Sequence, residues 1–247
     1  MPMRRYKALF FTAILCVLCV SFSFHLRAQD KHENIIHYTV NLHQQTLNFY
    51  SKNEKGDYFK THGGLKSWLD QKNTELVFAM NGGMYLKDLS PQGLYIENGK
   101  IVKQIDTTSH SYGNFYMKPN GVFYVQGNKA TIVSSDKFEY NDSIRLATQS
   151  GPMLLLDGEF HPKFNEQSEN VHIRNGVGIL PNGNVLFAIS KEEVTFYEFA
   201  NFFKSMGCLN ALYLDGFVSR MYLPSKKWTQ TDGLFSIIMA VTKPRTN

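Results

Sequence analysis

The stretch that decides the fold is Leu76-Val77-Phe78-Ala79-Met80-Asn81-Gly82-Gly83-Met84-Tyr85. Its five consecutive apolar residues predict a buried strand, and the change to asparagine and two glycines marks the end of that strand. A second segment follows the same plan, because Ala211-Leu212-Tyr213-Leu214 leads directly into Asp215-Gly216. A helical pattern precedes each strand. If the two strands lie near one another in one sheet, both turns open onto a common cleft.

Further strands are predicted on both sides of these two. Alternating apolar residues indicate an opening hairpin between residues 35 and 59. Five later strands are predicted at Leu94–Ile96 with Lys100–Val102, Phe115–Met117, Val122–Val125 and Lys129–Val133. Asn-Gly pairs that favour the positive φ of tight turns occur at Asn98-Gly99, Asn120-Gly121 and Asn182-Gly183.

Two helices complete the predicted fold. Leu65, Trp68 and Leu69 share one helical face, and Ser190-Lys191-Glu192-Glu193 matches a capping box that would begin a largely buried helix. The prediction is an α+β (mixed α/β) single domain with a largely mixed β-sheet core, flanking helices and an active cleft at the strand ends. This domain is expected over residues 29–247, with its core at about 38–241.

The first 28 residues have the pattern of a signal peptide. Arg4, Arg5 and Lys7 precede an apolar run from Ala8 to Phe24, and cleavage is expected after Ala28. The alternative is an uncleaved anchor, although the run is slightly short of the ~20 residues that a bilayer span needs. We therefore expect a periplasmic or secreted protein with no stable membrane anchor after signal cleavage.

The net charge falls once this segment is removed. The full chain carries 26 basic and 21 acidic residues, a net charge of +5. Four of the basic residues lie in the signal segment, which leaves 22 against 21, or +1. A nearly neutral domain with scattered lysines gives no reason to expect nucleic acid as a partner. No oligomeric state is predicted.

Several common catalytic signatures are absent from the sequence. There is no GxGxxG, P-loop, HExxH, GxSxG or zinc-spaced cluster of histidine and cysteine. The signal segment holds two of the three cysteines, so that Cys208 alone remains, and it is predicted to be a buried small residue. No cofactor is expected, and a divalent metal is not excluded.

Four segments combine polar residues with glycine and interrupt apolar runs. They are Asn81–Tyr85, Gln149–Pro152, His172–Gly178 and Asp215–Arg220. Arg174 offers a planar set of donors suited to phosphate or carboxylate, and the alternative is a structural ion pair. Asp215 follows a buried strand, where a carboxylate is expected to be paired, metal-bound or catalytic, and capping of the turn is the alternative.

Together these segments resemble the phosphodiester glycosidase domain. The likeness rests on the order and spacing of four motifs and runs from about Tyr38 to Val241: Asn81-Gly82-Gly83-Met84-Tyr85, Gln149-Ser150-Gly151-Pro152, Ile173-Arg174-Asn175-Gly176-Val177-Gly178 and Asn210-Ala211-Leu212-Tyr213-Leu214-Asp215-Gly216. That family includes the lysosomal uncovering enzyme and exported bacterial proteins of unassigned substrate. The present chain has Phe217 and Val218 where the uncovering enzyme has a glycine-rich turn, so it looks closer to the bacterial branch.

The resemblance implies hydrolysis of the bond between a sugar's anomeric carbon and a phosphodiester oxygen. It implies catalytic roles for Asp215 and for Arg174, the latter as a clamp on phosphate. The implied substrate-binding residues are Asn81, Gly82, Gly83, Tyr85, Gln149, Ser150, Gly151, His172, Asn175, Gly216 and Ser219. The expected partner is a carbohydrate phosphodiester of the cell envelope or the environment.

Two other functions remain open at the level of sequence. One is a non-catalytic carbohydrate-binding protein of the envelope, since sugar rings stack on aromatic side chains such as Tyr85 and Phe217. The other is a metal-assisted phosphodiesterase that cleaves the P–O bond, with Asp215 and one of His161 or His172 as ligands.

Overall fold

A computed structural model describes residues 33–215 and 217–245 of the chain. Among these described residues, those from Ile36 onward belong to one compact unit. The predicted signal peptide, residues 1–28, lies outside the described residues. In the part that is described, none of the helices has both the length and the apolar character needed to span a bilayer.

The described residues form mainly β-strands, with two α-helices. The helices are α1 (His62–Gln71) and α2 (Phe196–Ser205). The strands are β1 (Ile35–Val40), β2 (Leu47–Tyr50), β3 (Thr74–Asn81), β4 (Tyr95–Glu97), β5 (Lys100–Lys103), β6 (Gly121–Gln126), β7 (Lys129–Ser134), β8 (Ile144–Ser150), β9 (Met153–Leu156), β10 (Glu159–Phe160), β11 (Asn175–Ile179), β12 (Val185–Ser190), β13 (Ala211–Tyr213), β14 (Met221–Leu223), β15 (Trp228–Thr229) and β16 (Ile238–Pro244).

These strands form three sheets. The first has the order β1-β12-β11-β13-β9-β10, the second β15-β14-β3-β16-β2, and the third β5-β4-β8-β6-β7. Every strand pair whose register is described is antiparallel. The α+β class is therefore confirmed in outline, but the core is dominated by antiparallel sheets rather than by the mixed sheet that the sequence predicts.

The two strands that follow the same sequence plan lie in different sheets. Strand β3 pairs with β14 and β16, whereas β13 lies between β11 and β9. The condition that the two strands share one sheet is therefore not met. Both strands are nevertheless buried as predicted, since every residue from Phe78 to Asn81 and from Ala211 to Tyr213 is buried.

The predicted opening hairpin is also wrong, although both of its strands exist. Strand β1 joins the first sheet beside β12, while β2 pairs with β16 near the C-terminus. Alternation of apolar residues reports which face of a strand is buried and does not identify its partner. The hairpin of β4 and β5 is confirmed, and its turn has positive φ at both Asn98 and Gly99.

Three local predictions need correction. The capping box of helix α2 starts five residues after Ser190, because Thr195 and Glu198 form it, and the helix begins at Phe196. Ser190 ends β12, and its hydroxyl accepts a hydrogen bond from the Arg174 amide. Residues Asn114–Tyr116 form a 3₁₀ turn where a strand was predicted, and the Asn120-Gly121 pair leads into β6 rather than forming a hairpin turn.

Helix α2 packs closely on the first sheet because strand β11 carries glycines. A Cβ on Gly178 would lie 2.6 Å from Cδ1 of Phe203 and 2.8 Å from Sγ of Cys208, which is closer than side chains approach. Cys208 is buried as predicted, and burial raises the pKa of its thiol to about 12. Gly178 in the glycine-rich segment therefore allows Phe203 of helix α2 to pack closely on strand β11.

Candidate functional site

Three polar side chains from separate strands converge in the interior. Asn81 ends β3, Asn175 begins β11, and Asp215 lies two residues beyond β13. The Asn175 side-chain amide donates to the carbonyl oxygen of Asn81 at 3.0 Å and to its Oδ1 at 2.9 Å. Oδ1 of Asn175 accepts from the backbone N–H of Asp215 at 2.9 Å. Asn175 thereby joins the first and second sheets at the point where Asp215 leaves its strand.

The carboxylate of Asp215 is held on both oxygens. Nδ2 of Asn81 donates to Oδ2 at 3.2 Å, and the amide of Phe217 donates to Oδ1 at 3.0 Å. The side chain is 5% exposed. Ser219 fixes the turn, because its hydroxyl bonds to the Asp215 carbonyl at 2.7 Å and lies 3.1 Å from the Ile173 carbonyl. The carboxylate is thus buried and held in one orientation.

Asp215 lines an open cleft of about 480 Å³. The described residues that line it are Met84, Tyr85, Leu86, Lys87, Gln92, Asn114, His172, Asp215 and Phe217. Asp215 is the sole carboxylate among them. Lys87 carries a positive charge at the same cleft, and the Phe217 side chain is 95% exposed. A sugar phosphate would meet one carboxylate, a cation and an aromatic ring here.

Tyr85 connects the cleft to the C-terminal segment. Its hydroxyl donates to the carbonyl oxygen of Leu234 at 2.6 Å. Burial, together with the negative charge of Asp215, raises the pKa of Tyr85, so its hydroxyl keeps the proton at neutral pH. Tyr85 is therefore a neutral hydroxyl that donates to Leu234 and is close enough to Asp215 for its pKa to respond to that charge.

Eight of the described residues expected to bind substrate are absent from the lining of the cleft. Three of them, Asn81, Asn175 and Ser219, hold Asp215 and its turn, and the other five are Gly82, Gly83, Gln149, Ser150 and Gly151. The Gly82 amide donates to the Ile237 carbonyl at 2.8 Å, and a Cβ on Gly83 would lie 2.5 Å from Oγ1 of Thr148. Ser150 donates to the Leu214 carbonyl at 2.6 Å. The Ser150 bond supports the chain just before Asp215, whereas Gly82 and Gly83 pack against Ile237 and Thr148.

Gln149 and Gly151 also make internal contacts. Oε1 of Gln149 accepts from the amides of Leu94 at 3.0 Å and Asp106 at 2.9 Å. A Cβ on Gly151 would lie 2.6 Å from Cβ of Asn120. Both residues thus hold neighbouring loops together. Gly216, also expected at the site, lies outside the described residues.

Arg174 is fully buried and is likewise absent from the described lining of the cleft. Its Nε donates to the Val194 carbonyl at 2.8 Å, and Nη2 donates to both oxygens of Asn170 at 2.9 Å. The structural ion pair that the sequence left open is not found either, because no carboxylate of the described residues pairs with this guanidinium. These bonds occupy three of the five N–H donors, and the fully buried group does not present the others to the cleft.

The two histidines considered as metal ligands occupy different environments. His172 is exposed and lines the cleft with Asp215, whereas His161 is buried against Phe164. Among the residues that the structure describes, no group of three or more histidine, cysteine, aspartate or glutamate side chains is arranged to hold a metal ion.

Sequence reasoning missed three polar residues of the cleft, namely Lys87, Gln92 and Asn114. Lys87 follows directly on the segment that ends at Tyr85, so its position was an available signal. Gln92 and Asn114 come from loops with no distinctive pattern. Their side chains make no hydrogen bond to other residues in the described ranges, which leaves their amides free for a ligand.

Comparison with known proteins shows which of them resemble this chain in sequence or in fold. The chain is 38% identical over 187 residues to the uncharacterized protein YigE of Escherichia coli strain K12, which covers 75% of this chain and 73% of that protein. The zebrafish N-acetylglucosamine-1-phosphodiester alpha-N-acetylglucosaminidase catalytic domain, auto-inhibited by its pro-peptide, has the same fold. The TM-score is 0.58 at 15% identity, over 84% of this chain and 82% of that one.

A second solved structure shares the fold. A protein of Burkholderia pseudomallei K96243, named as exported, aligns with a TM-score of 0.54 at 9% identity, over 84% of this chain and 73% of its own. The sequence profile of the phosphodiester glycosidases matches residues 74–235, which include Asn81, Asn175 and Asp215. The chain belongs to the phosphodiester glycosidase family.

Proposed function

We propose that this protein hydrolyses the bond between the anomeric carbon of a sugar and a phosphodiester oxygen, with Asp215 as its catalytic carboxylate. One observation carries the proposal: a carboxylate that is 5% exposed and held on both oxygens by Asn81 and Phe217 reaches an open cleft. Family membership supports the reaction class.

A single carboxylate suffices for this chemistry because the leaving group is good. Ordinary glycosidases use two carboxyl groups, one of which protonates a poor alcohol leaving group. A departing phosphate monoester has a second pKa of about 6 and needs little protonation. In the proposed step, water attacks the anomeric carbon and gives its proton to Asp215, while the C–O bond breaks and its electron pair leaves with the phosphate.

The phosphate is recognised in this proposal by Lys87 and His172, which line the cleft. The amides of Gln92 and Asn114 supply neutral donors to sugar or phosphate oxygens. Phe217 offers an exposed ring on which a sugar can stack. This assignment replaces the direct role of Arg174 that the sequence suggested, because Arg174 is fully buried.

We also propose that the protein acts outside the inner membrane, as a periplasmic or secreted enzyme. The signal-like pattern of residues 1–28 supports this location, as does the shared fold with a Burkholderia protein named as exported. Its substrate would then be a glycan phosphodiester of the envelope or the environment.

The test uses the methyl phosphodiesters of N-acetylglucosamine 1-phosphate and glucose 1-phosphate in ¹⁸O-labelled water. Wild-type protein is expected to place the label in the sugar, which marks C–O cleavage. Asp215→Asn should lower kcat by about 10²- to 10⁴-fold because it removes the base. Asp142→Asn changes an exposed carboxylate outside the cleft and serves as the matched control.

The other outcomes separate the competing functions. Label in the phosphate, with activity lost on chelation, would establish a metal-assisted phosphodiesterase. Specific binding of a glycan without turnover of any diester would establish a carbohydrate-binding protein. Full activity in Asp215→Asn would remove Asp215 from the mechanism.

A further inference from the structure

Arg174 is a buried cation, and none of the carboxylates in the described ranges forms an ion pair with it. Its guanidinium carbon lies 3.6 Å from the centre of the Phe196 ring, which also stacks on Phe164 with ring centres 5.0 Å apart. Carbonyl oxygens and a ring face therefore stabilise this charge. A planar guanidinium makes such contacts together, whereas a lysine ammonium cannot.

The hydrogen bonds of Arg174 enclose the segment that carries His172. Nη2 binds the carbonyl oxygen and Oδ1 of Asn170, which lies two residues before His172, while Arg174 itself lies two residues after it. One side chain thus ties both ends of a five-residue segment. His172, in the middle of that segment, lines the cleft.

The same guanidinium also fixes the partner of His172. The amide of His172 donates to the carbonyl oxygen of Val194 at 3.2 Å, and the amide of Val194 donates back at 2.9 Å. Nε of Arg174 donates to that same Val194 oxygen at 2.8 Å. Arg174 therefore holds the backbone of His172 in two ways: through its bonds to Asn170 and through its bond to Val194.

Tyr213 places Arg174 on the inner side of the Asp215 turn. Nη1 of Arg174 lies 3.4 Å from the Tyr213 hydroxyl, and Tyr213 ends β13 two residues before Asp215. Burial raises the pKa of Tyr213 to about 12, with the positive charge of Arg174 and the negative charge of Asp215 acting in opposite directions. Arg174 thus contacts the strand that leads into Asp215, although it does not line the cleft.

We propose that Arg174 is a positioning residue, which holds His172 in the substrate cleft by fastening residues 170–174 to Val194, and which does not touch the substrate. This inference rests on the proposed function. It differs from a phosphate clamp in one measurable way: Arg174 and His172 act as one unit, so removing both should cost no more than removing the more important one.

A double-mutant cycle tests this dependence with the methyl phosphodiester substrates. His172→Ala and Arg174→Gln should each raise KM by about tenfold or more, with kcat within about threefold of wild type. The double variant should show no more than the larger single effect. Multiplied effects in the double variant would mean that Arg174 binds phosphate independently, and would overturn the proposal.

A second readout does not depend on activity. Arg174→Lys keeps the buried charge but loses the planar set of donors, and its folding can be checked by its melting temperature. Faster amide hydrogen exchange at His172 and Val194 in this variant is expected, with unchanged exchange in strand β6 as the internal control. Unchanged exchange at both amides would contradict the proposal even if Asp215→Asn were fully active, so the two failures are distinguishable.

Discussion

The side-chain amide of Asn81 donates to a carboxylate oxygen of Asp215 over 3.2 Å, joining two residues that are 134 positions apart. Asn81 belongs to the second sheet, and Asp215 follows a strand of the first. The candidate site is therefore made at the junction of two sheets, and each residue depends on the correct placement of the other.

Asn175→Ala tests how strongly this junction depends on one amide. The substitution removes the donors to Asn81 and the acceptor for the Asp215 amide, which leaves buried polar groups unpaired. We expect the free energy of unfolding to fall by about 1–3 kcal/mol in urea titrations. Asn128→Ala, in an exposed turn, is the control and should stay within about 0.5 kcal/mol of wild type. Equal stability of the two variants would contradict the role of Asn175.

Phe217→Ala separates substrate binding from stability. The ring is 95% exposed at the edge of the cleft, so its loss should leave the free energy of unfolding within about 0.5 kcal/mol. We expect KM for a sugar phosphodiester to rise several-fold, because a stacking surface is removed. Tyr112→Ala, which removes a ring that is 99% exposed and does not line the cleft, is the matched control. A KM equal to that of the control would remove Phe217 from the binding surface.

Gly178→Ala tests the packing of α2 on the first sheet. The added methyl group would meet the Phe203 ring at 2.6 Å, and overpacking of this kind costs about 1–3 kcal/mol. The melting temperature should fall accordingly. A second change, Phe203→Leu, makes room for the methyl group, so its cost should be smaller in the Gly178→Ala background than in the wild-type protein. Additive costs would show that the two residues do not compete for space.

His62 should make the folded state sensitive to acid. Nδ1 of His62 lies 3.0 Å from the Gln230 carbonyl, while Nε2 is buried and has no hydrogen-bond partner among the residues that the structure describes. Burial lowers the pKa of His62 to about 4, from 6.5 in the unfolded chain. The unfolded state therefore takes up the proton first, and this contribution to stability is complete above pH 6.5 and is lost as the pH falls toward 4.

The loss amounts to roughly 3 kcal/mol over that range if the shift holds in full. His62→Gln should flatten the acid side of a stability curve measured by urea unfolding. The slope that remains is expected from His161, whose pKa burial also lowers to about 4, and from carboxylates such as Asp232, whose pKa is lowered by its hydrogen bond with Arg220. His43→Gln replaces an exposed histidine and should change nothing. An unaltered acid slope in His62→Gln would contradict this account.

Much of the local structure could be predicted from the sequence, because it depends on neighbouring residues. The apolar run before Asn81 predicted β3, and the Asn98-Gly99 pair predicted a tight hairpin. Strand partners could not be predicted in this way. Strand β2 pairs with β16, almost two hundred residues later, and nothing in the alternation of Leu47 and Phe49 indicates so distant a partner.

The candidate site was predictable only in part, for a similar reason. Composition marked Asn81 and Asp215 as unusual polar residues at the ends of apolar runs, and the fold brings them together. Arg174 looked equally unusual, but its fully buried position depends on Phe196 and Val194, which come from the α2 region. Lys87 reaches the cleft from a loop, where sequence patterns do not indicate which side chains share a surface.

The junction between the two sheets has a consequence for how the protein would acquire the proposed activity. Contacts between residues far apart in the chain form late, because closing a long loop costs conformational entropy before the contact can offset that cost. The carboxylate of Asp215 cannot be oriented until β3, β11 and β13 are all in place. Catalysis during refolding would therefore report completion of the last assembly step, and partly folded molecules would be inactive toward any glycan they meet.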